Sequence, residues 1–381
     1  MKRVLVLQQS IEPPGGGNGL GAWVLEALKR EFEVSHLSWI PMDLGLTNRF
    51  WGTSLDATQI RSLIPPARLR WLSDSPPLTL GLLRTHLIMR YCKAISHDYD
   101  AVFCGNSEAD FGRRGIQYII FPWSYYPRPD ISPLWYHRSH LMLRAYNRLC
   151  RRVSGFSVER MKQNVTLTIS DWIAARFHEL YSDVATTTVF PPIPGEFPEV
   201  PWKDKEDGFV CIGRVSPEKE FHKIIAILDA VRARGHALHL HIIGTSDHGE
   251  YYARIRAMAE ERVNWVHLGE NLTRDELARL VSTQRYGIHG MREEHFGMAV
   301  GEMVRAGCIV FVPNGGGQVE IVGDPRLCYD SSDDATERIC RVLSDADLRH
   351  DLRTHLERRS EQLSVQYFMG RIRDVVGDFV H

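Results

Sequence analysis

Long apolar runs are missing from this chain. None approaches the roughly 18 residues that a membrane-crossing helix needs, so a helical integral membrane protein is not expected. Paired cysteines are missing too. The seven thiols (Cys92, Cys104, Cys150, Cys211, Cys308, Cys328, Cys340) are odd in number and scattered, with no Cys-x-x-Cys. Neither a zinc ligand pair nor a disulfide framework is therefore suggested, and the thiols read as small core residues in a reducing compartment. On that reading the Asn-x-Thr triplets at Asn164 and Asn271 carry no glycan information. Net charge is also nearly absent, at −1, which leaves no global field to favour nucleic acid. No short-period repeat, no low-complexity tract and no Asp-x-Asp at the end of a candidate strand is present. The N-terminal Met1-Lys2-Arg3-Val4-Leu5-Val6-Leu7 is basic then apolar, but it stops at Gln8-Gln9-Ser10, too soon for a signal peptide. It reads as a buried first strand of a parallel sheet, and the expected location is the cytoplasm.

What is present is the composition of a globular protein, 44% apolar and 24% charged in 381 residues, enough for two ordinary domains. Apolar β-branched runs alternate with helical patterns. Strands are expected at Val4–Gln8, Ala101–Cys104, Tyr118–Phe121, Leu167–Ile169, Thr187–Phe190, Gly208–Ile212, Leu238–Ile243, Val263–His267 and Ile309–Val312. Helices are expected at Gly21–Phe32, Pro77–Ile95, Pro133–Arg152, Asp171–Tyr181, Phe221–Arg234, Tyr251–Arg262, Arg274–Thr283 and Gly297–Ala306. Strand then helix, repeated, is the α/β signature with parallel sheets. Five prolines between Pro191 and Pro201, followed by charged Lys203–Asp207, read as a semi-rigid linker. The implied division is 1–195, with 363–381 returning to it, and 208–362.

Three stretches carry chemistry. Glu294-His295-Phe296-Gly297-Met298-Ala299-Val300-Gly301-Glu302 sets two carboxylates eight positions apart around Phe-Gly. That spacing places Glu294 at a loop end and Glu302 in the first turns of a helix, with helix N–H groups between them that attract anions. A ligand with both phosphates and hydroxyls, such as a nucleotide sugar, suits that pairing. Gly213-Arg214-Val215-Ser216-Pro217-Glu218-Lys219 follows a strand and offers a planar guanidinium fork and a compact ammonium, both suited to phosphate; a solvated loop before a Pro-started helix is the plain alternative. Gly15-Gly16-Gly17-Asn18-Gly19 follows the first strand and precedes a helix, and its glycines allow a phosphate close to the backbone. Gly17, Gly19 and Ala22 fit a degenerate dinucleotide pattern, but Gln8 to Pro14 intervene and no acidic ribose partner follows Val34–Trp39.

The first of these stretches resembles the Glu-x7-Glu motif of the retaining glycosyltransferases of family GT4. The run from Glu294 through Gly315-Gly316-Gly317 to Glu320-Ile321-Val322 is similar to the mannosyltransferases that extend lipid-linked oligosaccharides. Gly213 to Lys219 resembles the family's Gly-Arg…Pro-Glu-Lys segment, and Asn164 to Trp172 also fits. The resemblance implies a GT-B fold: two Rossmann-like domains facing across a cleft, with a last helix near Val365–Val380 crossing back to the first. It implies a nucleotide-sugar donor held mainly by 208–362, and an acceptor held by the first half. Arg214 and Lys219 are implied to neutralise the diphosphate, and Glu294 to accept hydrogen bonds from the sugar. His295, Phe296, Gly297, Met298 and Glu302 line the donor, Glu302 on the ribose, while Gly244 and the loop to Leu272 hold the base. Gly16 and Gly17 close over the phosphate. No covalent nucleophile stands out, which suits a front-face route in which the leaving phosphate helps deprotonate the acceptor, with no cofactor and no metal. GDP-mannose is the favoured donor.

One position departs from the family: Ile120 stands where the related mannosyltransferases carry a His against the donor sugar. A non-catalytic sugar-nucleotide or lipid-head-group scaffold and a nucleotide-sugar epimerase therefore remain alternatives, with a dinucleotide oxidoreductase further off. Residues 113–162 are basic (Arg138, Arg144, Arg148, Arg151, Arg152) with interleaved Trp123, Tyr125, Tyr126, Trp135 and Tyr136. That surface suits an anionic membrane face or a phosphorylated lipid acceptor; a solvated helix face is the plain alternative. The expected partners are a nucleotide sugar and a glycan or lipid-linked acceptor, with no nucleic acid.

Overall fold

A computed structural model describes residues 1–13, 15–69, 81–123, 140–246, 248–270 and 272–381. The helix starts expected at Pro77 and Pro133 lie outside the described residues. So do Pro14, Tyr125, Tyr126, Asp130, Trp135, Tyr136, Arg138 and Asn271. The chain forms two compact units, Met1–Pro192 with Phe368–His381, and Ile193–Tyr367.

The first unit is built on seven parallel strands: β1 (Arg3–Leu7), β2 (Glu33–Leu37), β3 (Ile60–Leu63), β4 (Ala101–Cys104), β5 (Ile116–Ile119), β6 (Val165–Thr168) and β7 (Thr186–Thr188). Their order is β3-β2-β1-β4-β5-β6-β7. Val4 to Leu7 are buried, as are all four residues of β4 and β5. That is the near-continuous apolar run of a strand covered on both faces. The helices are α1 (Gly16–Leu28), α2 (Leu44–Trp51), α3 (Gly81–Ile95), α4 (His140–Ser154), α5 (Val158–Met161) and α6 (Asp171–His178). Asp43 and Ser170 cap α2 and α6 through their side chains. A buried carboxylate, Asp110, ties α3 to α5 by pairing with Lys93 at 2.6 Å and Arg160 at 2.9 Å. Its pKa is about 2, because those partners and the N–H groups of Ser157 and Gly112 outweigh the cost of burial.

In the second unit the sheet is β8 (Glu206–Ile212), β9 (His239–Ile243), β10 (Val266–Gly269), β11 (Gln284–Ile288), β12 (Ile309–Pro313) and β13 (Cys328–Tyr329), ordered β10-β9-β8-β11-β12-β13 and parallel throughout. Its helices are α7 (Phe221–Ala233), α8 (Glu250–Glu260), α9 (Arg274–Thr283), α10 (Met298–Arg305), α11 (Gln318–Val322), α12 (Ser332–Ser344) and α13 (Ala346–Gln362). A Thr273–Glu276 capping box starts α9. The last helix, α14 (Val365–Val380), has most of its length in the first unit, where Arg373 pairs with Glu31.

Each sheet reverses its strand order once, between β1 and β4 and between β8 and β11. In such sheets ligands sit beyond the strand carboxyl ends at that switch point.

The semi-rigid linker expected through Lys203–Asp207 is corrected. Ile193 is fully buried and its N–H donates to Leu363 O at 2.9 Å. Lys205 is buried and its Nζ donates to Ser282 O at 2.6 Å, Ala306 O at 2.8 Å and Gln284 O at 3.3 Å. An ammonium meeting the carbonyl ends of α9 and α10 is a favourable helix-terminus contact. This segment is therefore anchored within the second unit, and β8 begins at Glu206 rather than Gly208. All seven cysteines are free.

Candidate active site

Lys219 and Glu294 meet at the switch point of the second unit. Gly213 follows β8 and the 3-10 turn Pro217–Lys219 comes next, before α7. Glu220, with a left-handed φ of 52°, turns the chain into α7. From the neighbouring β11 the chain runs through His289 and Gly290 to Glu294. The two loops touch: a Cβ on Gly290 would lie 2.4 Å from Lys219 O, so only glycine fits there. The Lys219 Nζ donates to Glu294 Oε2 at 2.5 Å and approaches Met291 Sδ at 3.5 Å. Both side chains keep some exposure, 17% for Lys219 and 20% for Glu294.

His289 completes the group. Its buried Nε2 stands 3.4 Å from Glu294 Oε2 and has no hydrogen-bond partner. Burial pushes the Glu294 carboxyl up, but the adjacent His289 imidazole and the Lys219 charge more than offset this. They hold it well below the usual carboxylate range. Burial in turn holds the His289 imidazole below its ordinary value, with Glu294 opposing. A charged carboxylate with an ammonium on one oxygen and an imidazole beside it can accept hydroxyl hydrogen bonds without a proton of its own to give.

Three consecutive glycines fix where Glu294 sits. Gly317 N donates to Glu294 O at 2.8 Å. A Cβ on Gly316, whose φ is +73°, would lie 2.4 Å from Glu294 O, and one on Gly315 would lie 2.8 Å from Arg292 O. Behind them, the buried Gln318 Nε2 donates to Met291 O at 2.7 Å and Gly315 O at 3.0 Å. Gly297, in the left-handed region at φ 106°, opens α10, and no side chain caps that helix.

Glu302 lies on α10 and is paired elsewhere. Its Oε1 accepts from Arg274 Nη1 at 2.7 Å, and Arg274 Nη2 donates to Pro194 O at 3.2 Å. Burial raises the Glu302 pKa, with Arg274 opposing. Arg214 is 70% exposed and its Nη2 contacts Glu218 at 3.2 Å. Of the three residues expected to act on the donor's diphosphate and sugar, the structure thus brings together Lys219 and Glu294, with Arg214 at the rim. Gly244 follows β9 and packs against the backbone just after β8, where a Cβ would lie 1.8 Å from Gly213 O. Phe296 is buried, whereas His295 and Met298 are half-buried and Leu272 is exposed.

In the first unit the glycine segment is corrected: the expected loop Gly15–Gly19 is helical from Gly16, and the helix expected from Gly21 begins there. Gly15, at φ 120°, is the N-cap, and Asn18 N and Gly19 N both donate to its carbonyl. Two glycines are needed for packing, since a Cβ would meet Trp51 at 2.8 Å from Gly19 and Gln8 at 2.7 Å from Gly21. Gly16 faces open space, and a Cβ on Gly17 would meet Ile120 at 3.0 Å. The buried Gln8 spans this unit's own switch point, with Nε2 donating to Gly17 O at 3.2 Å and Asn106 Oδ1 at 3.0 Å. Ile120, where the resemblance leads one to expect a His, therefore lies beside Gly17.

Residues 193–359 match the family described as glycosyl transferases group 1. The second unit is a group 1 glycosyltransferase domain. Curated relatives named GDP-Man:Man(3)GlcNAc(2)-PP-Dol alpha-1,2-mannosyltransferase include the mouse protein, 27% identical over 170 residues, or 40% of this chain and 35% of that one. The human protein is 26% identical over 226 residues, 52% of this chain and 46% of that one. The chain thus covers less than half the length of these relatives. Among solved structures, Anabaena Alr3699/HepE in complex with UDP superposes at a TM-score of 0.67 and 15% identity, covering 99% of this chain and 100% of that chain. WaaG, a glycosyltransferase involved in lipopolysaccharide biosynthesis, superposes at 0.64 and 14%, covering 98% and 99%. At such identities the likeness speaks for the fold, which is GT-B, with two parallel-sheet Rossmann-like units.

Within the group 1 domain, His289, Arg274 and Gln318 are the residues that pattern reading misses. His289 carries a recoverable signal, since it directly follows the apolar Tyr286-Gly287-Ile288 and precedes a glycine, as a residue at a strand carboxyl end does. Arg274 and Gln318 carry none, because Arg274 meets Glu302 and Gln318 meets Met291 only through the fold, 28 and 27 positions apart.

Proposed function

We propose that this protein transfers a hexosyl group, mannose favoured, from a nucleotide sugar to a hydroxyl of a glycan or lipid-linked acceptor, with retention of configuration. The observation that carries this reading is the Lys219–Glu294 pair at the switch point of a group 1 domain. In the free protein Glu294 is the counter-ion that keeps the Lys219 ammonium oriented. A bound diphosphate competes for that ammonium, and Glu294 is then free to accept from sugar hydroxyls. Arg214, exposed and only loosely paired, swings onto the same phosphates. The two cations oppose the charge that grows as the nucleoside diphosphate leaves, an effect worth a few kcal/mol in a water-poor site. Because the chain offers both cations itself, the reading carries no metal requirement. Glu302 reaches the ribose hydroxyls by exchanging its contact with Arg274.

GDP-mannose is favoured by the curated relatives' names, while the solved neighbours bind UDP and UDP-glucose; the base is for the experiment to decide. A lipid-linked acceptor and a place at the inner membrane face are supported by α4. Its surface joins Leu141, Met142 and Leu149, all exposed, to Arg144, Arg148 and Arg152. Among the described residues no helix is long and apolar enough to cross a membrane. A non-catalytic scaffold is the second reading, favoured by Ile120.

The test is turnover with GDP-, UDP- and ADP-hexoses and a polyprenyl-linked glycan acceptor, reading the new linkage by NMR. An α-linked product from an α-linked donor supports the proposal. An inverted linkage contradicts retention, acceptor-independent conversion of the donor indicates an epimerase, and binding without turnover indicates the scaffold.

A further inference from the structure

The second sheet carries a group of polar side chains that the proposed reaction does not use, at the opposite ends of the strands that bear Gly213 and Gly244. His239 and His241 are two apart on β9 and share one face. The strand register sets Gly208 beside His239, His241 beside His267, and Glu206 beside Gln284. The side-chain atoms converge: His239 Nε2 lies 3.2 Å from Glu206 Oε2 and 2.9 Å from Gln284 Oε1. The ring centroids of His239 and His241 are 5.1 Å apart, and His267 is 5.0 Å from His241.

Gly208 keeps this space open. A Cβ there would lie 1.9 Å from Gln284 Oε1 and 2.3 Å from His239 Nε2. A glycine inside a strand costs stability and often marks a point where a ligand approaches.

We infer that Glu206, His239 and His241 bind a divalent transition-metal ion, zinc by the chemistry of their donors. The ligand atoms of these three residues all lie within 4.8 Å of one another. Zinc bonds of about 2.0–2.2 Å make tetrahedron edges of about 3.3–3.6 Å, so the His239–Glu206 contact of 3.2 Å is already close to ligand spacing. A small rotation of the imidazoles closes the remaining edges. Two imidazoles and a carboxylate with a fourth position open are a donor set typical of zinc. His267, exposed on the edge strand, lies beside His241 with the ring centroids 5.0 Å apart. An ion here ties β8 to β9 at their amino ends.

The test is calorimetric titration of metal-free protein with Zn2+ alone, beside the double variant Glu206→Gln/His239→Gln and the single variant His241→Gln. The double variant alters partly exposed groups, so it keeps a folded comparison if His241→Gln does not fold. The expected result is one ion per chain with a dissociation constant below about 10 µM, weakened at least about tenfold in the double variant. Co2+ should show the intense visible bands of a tetrahedral site in wild type only. Weaker binding, or a double variant within tenfold of wild type, overturns the inference and places any bound ion on other side chains.

Discussion

Lys219 and Glu294 support each other's charge, so removing either one disturbs both folding and chemistry. Lys219→Ala should lower kcat/KM by about 100-fold or more. It should also cost about 1–3 kcal/mol of stability, because Glu294 is left without its cation in a largely buried position. The double variant Lys219→Met/Glu294→Gln removes both charges together. It is expected to recover most of that stability in denaturant titration while remaining inactive. If Lys219→Ala keeps full turnover, the pair is structural. Glu294 also sets a pH expectation. Its folded pKa is depressed, so its stabilising contribution is complete above the unfolded value of about 4.3 and is lost only as pH falls through the folded value. Glu294 therefore stays charged from about pH 5 to 9 and should add no inflexion to the pH profile of kcat/KM in that range.

Elements in each unit turn on close backbone approaches, and their glycines separate packing from ligand contact. Gly316→Ala should cost about 1–3 kcal/mol and reduce turnover, since its Cβ would collide with the Glu294 carbonyl, at 2.4 Å. Gly16→Ala meets nothing within 4 Å. It should leave stability within about 0.5 kcal/mol while weakening donor binding, readable by calorimetry beside melting temperature. Unchanged binding in Gly16→Ala would contradict the role over the donor phosphate that the resemblance implies for Gly16.

Legibility in the sequence follows the same division. Val4–Leu7, Ala101–Cys104 and Ile309–Val312 are apolar throughout, so their strands are plain, and Arg274–Thr283 is bounded by its own capping box. The pattern does not single out β3, whose Ile60-Arg61-Ser62-Leu63 lies at a half-exposed sheet edge. It also passes over β11, which opens on Gln284-Arg285 and includes Gly287, where a Cβ would meet Met303 at 2.7 Å. The helices Leu44–Trp51, Ser332–Ser344 and Ala346–Gln362 are likewise not picked out; the last has only Leu352 and Leu356 buried. Lys219 and Glu294 stand out through a family pattern, but their contact spans 75 positions, and no local signal shows it. The proline segment misleads, because composition alone does not reveal that Ile193 and Lys205 find buried partners.

At the scale of the molecule, both units hold histidines whose pKa burial depresses, fully buried in the first and half-buried at His241 in the second. Burial, first of all causes, lowers His36 and His86 in the first unit and His241 in the second to about 4. Between about pH 6.5 and pH 4 the unfolded chain binds protons at these sites and the folded chain does not. Stability therefore rises with pH across that window and falls on acidification, by on the order of 3 kcal/mol for fully buried His36 alone. Below about pH 3.9 the loss of the Asp110 contribution adds to the decline, down to its folded value of about 2. Denaturant midpoints at pH 7.5, 5.5 and 4.5 should fall in that order, and His36→Gln, if folded, should flatten the decline. A pH-independent midpoint would show that these imidazoles are solvated.

The most direct measurement is the thermal shift of wild type and Lys219→Ala with GDP-mannose, UDP-glucose and an ADP-hexose, each at about 100 times its dissociation constant. At that excess a ligand adds about 2.7 kcal/mol of stability. The account predicts that one nucleotide class raises the melting temperature of wild type and that Lys219→Ala loses the shift. No shift with any donor, or a variant that responds as wild type does, would contradict the placement of the donor at Lys219 and Glu294.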